Sequence, residues 1–241
     1  MDAYCVDYLC VDKQKRKSGI APQLIQTHHY NQRHATKEIV VTIFKREQEL
    51  TGIVPMCVYT TFGFSVQHWA KPSVHLLNGL FKLVQVTTQN FFQLHDFMRS
   101  FTTNNQFFDL FIETERSNQL ELIKTNNVFI FLLLEEAKIV GAYFFRKTCV
   151  FVQTNLEVLS CFASLNKTED DIFIQGFKNC FWDTCEKHSF RFASIENISH
   201  NSILIENLKK KTTPSIESPT AYFFYNFAYP TMDSRRVFVF I

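Results

Sequence analysis

The chain has 241 residues, long enough for one large domain or two small ones, and its formal net charge of +2 gives no basic field for nucleic-acid binding. Apolar residues make up 46% of it, yet no run approaches the ~18 needed to cross a membrane. Met1-Asp-Ala-Tyr4 lacks the basic start and apolar core of a secretory signal, and seven cysteines, odd in number and irregular in spacing, predict reduced thiols in a cytosolic protein.

In chain order, Cys5 to Val11 reads as an apolar strand that passes through a basic turn and enters a helix near Ile20, with Gln23 to Arg33 as its body. A second helical stretch is predicted over Glu38 to Leu50, ending near Gly52, then strands at Ile53–Tyr59 and Lys82–Thr88. Helical periodicity returns at Asn90–Phe101 and Ser117–Lys124. Val128–Leu134 and Ile139–Phe145 form a hairpin across Glu135-Glu-Ala-Lys138, and Glu157–Ala163 is a further strand. Asp170 to His188 is the clearest amphipathic helix: Ile172, Phe173, Phe177, Phe181 and Cys185 share one face, and acidic residues at its start suit the helix dipole. A strand at Phe190–Ile195, a helix at Asn201–Lys211 and strands at Tyr222–Phe227 and Arg236–Ile241 complete a mixed α/β order.

The turn between the first strand and helix carries Arg16-x-x-Gly19-x-Ala21 among Lys13, Lys15 and Lys17. Main-chain N–H groups there, the positive helix end and the basic side chains all suit a pyrophosphate. Glycine at position 19 lets the backbone turn and approach an anion, and the chain has only six glycines. The same pattern also fits a solvated basic turn. Cys10, between apolar neighbours, reads as a core thiol before it reads as a nucleophile. Cys180, Cys185 and His188 do not have zinc-ligand spacing, so no metal is expected. The 27 phenylalanines are expected in the core, some lining an apolar ligand slot.

The segment Tyr8-Leu-Cys-Val-Asp-Lys-Gln-Lys-Arg-Lys-Ser-Gly-Ile-Ala-Pro22 resembles the F-L-C-V-H-K-K-L-R-S-K-R-x-A-P stretch of the glycylpeptide N-myristoyltransferase family. Cys57-Val-Tyr-Thr-Thr-Phe62 is similar to that family's A-V-Y-T-A-G, Gln67-His-Trp-Ala70 to its R-Y-W-H, and Tyr225-Asn-Phe-Ala-Tyr-Pro-Thr-Met232 to its Y-N-W-x-C-P-x-M. The middle of the chain agrees in layout. Among the departures, Ala70 stands where the family has a peptide-facing histidine, the stretch from Arg33 to Leu50 is longer, and Lys209–Pro219 replaces a glycine-rich loop.

The resemblance implies an α/β (α+β) fold of the GNAT-like acyl-CoA N-acyltransferase type. Residues 1–79 would be the C-terminal part of a first, acyl-CoA-binding unit, and 80–241 a second, peptide-binding unit. It implies myristoyl-CoA as co-substrate, with no permanently bound cofactor, and proteins with N-terminal glycine as acceptors. The main-chain amides of Tyr8 and Leu9 would form the oxyanion hole. Leu9, Cys10 and Val11 would run along the pantetheine, and Lys17, Ser18, Gly19, Ile20 and Ala21 would hold the phosphates. The Ile241 carboxylate would be the base, its basicity raised by burial. Tyr59, Thr60 and His68 would meet the acceptor peptide, Thr60 at its amine. An open sheet edge at the first strand is expected to be covered by a preceding segment or another chain. Two alternatives stand beside this reading: a catalytically impaired acyl-CoA- or partner-binding remnant, and an N-acetyltransferase using acetyl-CoA.

Overall fold

Two parallel strands joined by one long helix begin the chain. The computed structural model describes residues 2–7, 9–48, 52–67, 69–72, 79–103, 107–152 and 156–241. In order, its elements are β1 (Ala3–Val6), α1 (Ile20–Ala35), β2 (Val41–Glu47), β3 (Cys57–Ser65), β4 (Phe81–Gln85), α2 (Phe91–Thr102), β5 (Leu110–Glu113), α3 (Arg116–Lys124) and β6 (Val128–Glu135). Then come β7 (Lys138–Val152), β8 (Leu156–Asn166), α4 (Asp170–His188), β9 (Phe192–Glu196), α5 (Asn201–Lys209), β10 (Ile216–Tyr225), β11 (Met232–Asp233) and β12 (Val237–Phe240). Two compact units emerge, residues 1–58 with 219–232, and residues 59–218 with 233–241. The division between them falls at Val58, within β3.

In the first unit β1 runs parallel to β2, and β10 pairs antiparallel with the other edge of β2. The helix expected over Glu38–Leu50 is a correction: this stretch forms β2. Val41, Thr42, Ile43 and Phe44 are all buried, so no 3.6-residue periodicity survives, and their β-branched or aromatic side chains suit a strand between two neighbours. Helix α1 packs on this sheet through Ile25, which joins Phe44, Ala221 and Phe223 in a small core. Phe44 and Phe223 stack at 5.2 Å. Buried His29 ties helix to sheet, its Nδ1 3.1 Å from the Thr42 hydroxyl and its Nε2 2.8 Å from Asn226 Nδ2.

The second unit is a six-stranded sheet in the order β3-β9-β8-β7-β6-β4, antiparallel except for the β9–β8 pair. Helices α4 and α5 cover one face, and α2, α3 and the parallel pair β5–β12 the other. With both faces buried, β6 reads as an unbroken apolar run, yet the two-residue period still sorts it. Phe129 and Leu133 pack with Phe173 and Phe177 of α4, whereas Ile130 and Leu132 pack with Leu94 and Met98 of α2. A bulge opposite Leu133 and Leu134 leaves Val140 as an extra residue of β7. The hairpin turn puts Glu136 and Ala137 at φ 47° and 81°, the primed geometry that matches strand twist.

Helix α4 spans the predicted residues, and its C-cap Ser189 adopts the left-handed conformation. Strand ends differ from the expected ones: β1 stops at Val6 instead of reaching Val11, β3 runs from Cys57 to Ser65 instead of Ile53 to Tyr59, β7 continues past Phe145 to Val152, and β10 starts at Ile216 instead of Tyr222. Strand β5 had no counterpart in the sequence reading; four residues, Leu-Phe-Ile-Glu, are too few to show a period. No helix among the described residues is long and apolar enough to cross a membrane.

Candidate functional site

The basic turn lies in the first unit. After Val11 the chain makes a short 3-10 turn at Lys13–Lys15, capped by the Asp12 carboxylate accepting from Gln14 N at 2.8 Å. Arg16 Nε donates to Val11 O at 3.3 Å and the Ser18 hydroxyl to Lys15 O, so the loop is closed by its own side chains. Gly19 sits at φ 81° as the N-cap of the sixteen-residue α1, exposed, with open space where a Cβ would stand. Left-handed backbone at this position suits glycine. Pro22 falls in the first helical turn, where a missing N–H costs nothing. Among the described residues, the N–H groups of Lys17, Ser18, Gly19, Ile20 and Ala21 have no hydrogen-bond acceptor. This is a cradle of donors at the positive end of a helix, bordered by Lys13, Lys15, Arg16 and Lys17.

Leu9 and Cys10 precede this turn as exposed chain outside any strand. Cys10 is exposed and therefore not the core thiol expected from its apolar neighbours, since β1 has ended before it. Tyr8 and His68 lie outside the described residues.

In the second unit a cluster of charged and polar groups surrounds Glu196, a carboxylate only 1% exposed at the end of β9. Its Oε2 accepts from the Tyr59 hydroxyl at 2.6 Å; its Oε1 accepts from Arg146 Nη2 at 3.3 Å and from the Ser160 hydroxyl at 3.4 Å. Arg146 Nη1 also donates to the main-chain oxygen of Ile241 at 3.2 Å, and its guanidinium lies 4.9 Å from the Phe162 ring centre. Ile241 is placed by β12, whose four residues are all buried and paired with β5, with Thr114 N donating to Phe240 O. Thr60 is half-buried, its carbonyl accepting from Asn197 N at 3.1 Å, and the buried Asn197 Oδ1 has no donor among the described residues. The Asn201 amide donates to the carbonyls of Glu196 and Cys161, fixing the β9–α5 corner. Burial and the nearby Glu196 carboxylate push the Cys161 thiol well above its ordinary pKa, so it is no nucleophile.

The structure thus brings Tyr59 and Ile241 to one charge cluster through Glu196 and Arg146, and groups Leu9 to Ala21 in and before one turn. Sequence reasoning missed Arg146, Ser160 and Glu196. The available signal was an arginine directly after Tyr143-Phe-Phe145 and a glutamate directly after Ala193-Ser-Ile195, charges set inside or at the end of apolar strands.

No family model and no curated protein sequence matches the chain. Among solved structures it is similar to Saccharomyces cerevisiae N-myristoyltransferase. For the structure with bound myristoyl-CoA and inhibitors the TM-score is 0.65 at 12% identity, over 95% of this chain and 62% of that one. Two structures with bound myristoyl-CoA give 0.63 at 14% identity and 0.61 at 12%, each over 95% of this chain and over 60% and 64% of theirs. The chain spans about three fifths of the length of the structures it matches. At this identity the likeness shows the fold alone, and the mixed α/β fold expected from the sequence is the one these structures share.

Proposed function

We propose that this chain is an acyl-CoA-dependent N-acyltransferase that moves a myristoyl group from myristoyl-CoA to the N-terminal glycine amine of a protein. The observation that carries the reading is the donor cradle from Lys17 to Ala21, behind left-handed Gly19 and beside four basic side chains. In this reading the diphosphate of CoA takes the N–H groups of Lys17, Ser18, Gly19, Ile20 and Ala21, and the pantetheine runs along Leu9, Cys10 and Val11. The exposed, strand-free main chain at Leu9 and Cys10 supports this, since it leaves amides for the cofactor arm. The amides of Tyr8 and Leu9 hold the thioester oxygen as it gains charge; each such donor can be worth ~3 kcal/mol.

The glycine ammonium, met by Thr60 with Tyr59 and His68 on the peptide side, gives a proton to the Ile241 carboxylate. The freed amine nitrogen attacks the thioester carbonyl. The carbon–sulfur bond of the tetrahedral intermediate breaks, an amide remains, and CoA leaves as its thiol. A myristoyl chain at ~0.8 kcal/mol per buried CH2 needs a long apolar slot, which a phenylalanine-rich interior supports. Seven free cysteines support a reducing, cytosolic setting.

A second reading, acyl-CoA or partner binding without turnover, is favoured by Arg146, a cation set against the Ile241 oxygen that should accept the proton. Thermal-shift measurements with myristoyl-CoA and acetyl-CoA, followed by transfer to a Gly-initiated peptide read by mass spectrometry, separate these readings. The proposal expects stabilisation by myristoyl-CoA and an acylated peptide. Stabilisation without product selects the binding protein, and stabilisation by acetyl-CoA alone selects an acetyltransferase.

A further inference from the structure

Arg146 does not face the Ile241 oxygen alone. One of its terminal nitrogens donates to Ile241 and the other to the buried carboxylate of Glu196. Among the described residues, hydrogen bonds link the Ile241 oxygen to Arg146 from β7, through it to Glu196 from β9 and, bonded to Glu196, to Tyr59 from β3. Arginine suits this task because its planar fork can hold two acceptors in a fixed relation, whereas a lysine ammonium is a flexible point charge. The Phe162 ring at 4.9 Å and the Ser160 hydroxyl on Glu196 limit where the fork can go.

We infer that Arg146 is a positioning residue for the acyl transfer: held by Glu196, it fixes the Ile241 carboxyl group. The inference rests on the proposed function, in which Ile241 supplies the base.

The test uses the 241-residue protein with Arg146→Gln, Arg146→Lys and the double variant Arg146→Gln/Glu196→Gln. The double variant removes both charges, so that neither is left buried alone if the single change fails to fold. With myristoyl-CoA and a Gly-initiated peptide, Arg146→Gln and the double variant should lose about tenfold or more in kcat, as expected when a reacting group is misplaced by about an ångström. KM for myristoyl-CoA should stay unchanged, and Arg146→Lys should recover part of the loss. In parallel, protein carrying 13C at the isoleucine carbonyl carbons reports Ile241 as the one isoleucine carbon that titrates. Removing the guanidinium should displace its resonance and raise its midpoint. Wild-type kcat in the double variant, or an Ile241 resonance and midpoint unmoved by Arg146→Gln, overturns the inference. If the wild-type protein transfers nothing, the proposed function fails, and the carbon resonance alone then decides whether Arg146 positions Ile241.

Discussion

The Tyr59 hydroxyl donates to Glu196 Oε2 at 2.6 Å, joining a residue of β3 to a buried carboxylate 137 positions later. A hydrogen bond to a charged acceptor contributes about 1.5–3 kcal/mol. Glu196 keeps Arg146 and Ser160 when Tyr59 is lost, so it is not stranded. Tyr59→Phe is expected to lower stability by about 2 kcal/mol in denaturant unfolding with an unchanged m-value. A variant as stable as the wild type would show that this bond only replaces one to water.

A second relationship fixes how closely α4 lies on the sheet. Tyr143 of β7 donates to Phe173 O at 2.6 Å, and a Cβ at Gly176, one turn along, would collide with the same hydroxyl. Tyr143 is fully buried and cannot swing out, so Gly176→Ala forces the helix to shift. Overpacking of this kind costs about 1–3 kcal/mol, against a small gain from the better helix former. Adding Tyr143→Phe removes the oxygen in the way, so the double variant should lose less than the sum of the two single losses. Strict additivity in a double-mutant cycle would contradict this contact.

His200 gives the fold a pH dependence with a definite sign. It is buried among the Phe101, Phe107 and Phe108 rings, with Nδ1 3.3 Å from Ser164 O, and burial pulls its pKa from 6.5 down to about 4. The folded protein therefore binds this proton less readily than the unfolded chain does. Its contribution is fully present above pH 6.5 and is lost progressively as the pH falls toward 4. The total loss is about 3 kcal/mol at 1.36 kcal/mol per pKa unit. Thermal unfolding at pH 7 and 5 should show a smaller drop for His200→Gln than for the wild type. Equal drops would place the acid sensitivity elsewhere.

The sequence showed the helices best where a polar face survives. Helix α4 keeps acidic residues at its start and one apolar stripe, so its limits were readable, and α2 and α3 followed the same logic. It misled at β2, where burial on both faces erased the alternation that marks a strand, and it was silent at four-residue β5. The basic turn was legible because Gly19 and its neighbours are local. The Glu196 cluster was not, because Tyr59, Arg146, Ser160, Glu196 and Ile241 meet only through strand pairing across the whole second unit.

The most direct test of the central claim is calorimetric titration of CoA, without an acyl chain, into the wild-type protein and into the Lys15→Ala/Arg16→Ala/Lys17→Ala variant. Each exposed charge contributes up to about 1 kcal/mol, about fivefold in Kd. The account expects one-to-one binding that weakens with added salt and falls by tenfold or more in the variant. Equal affinity in the two proteins, or no binding to either, would contradict a diphosphate site at the start of α1.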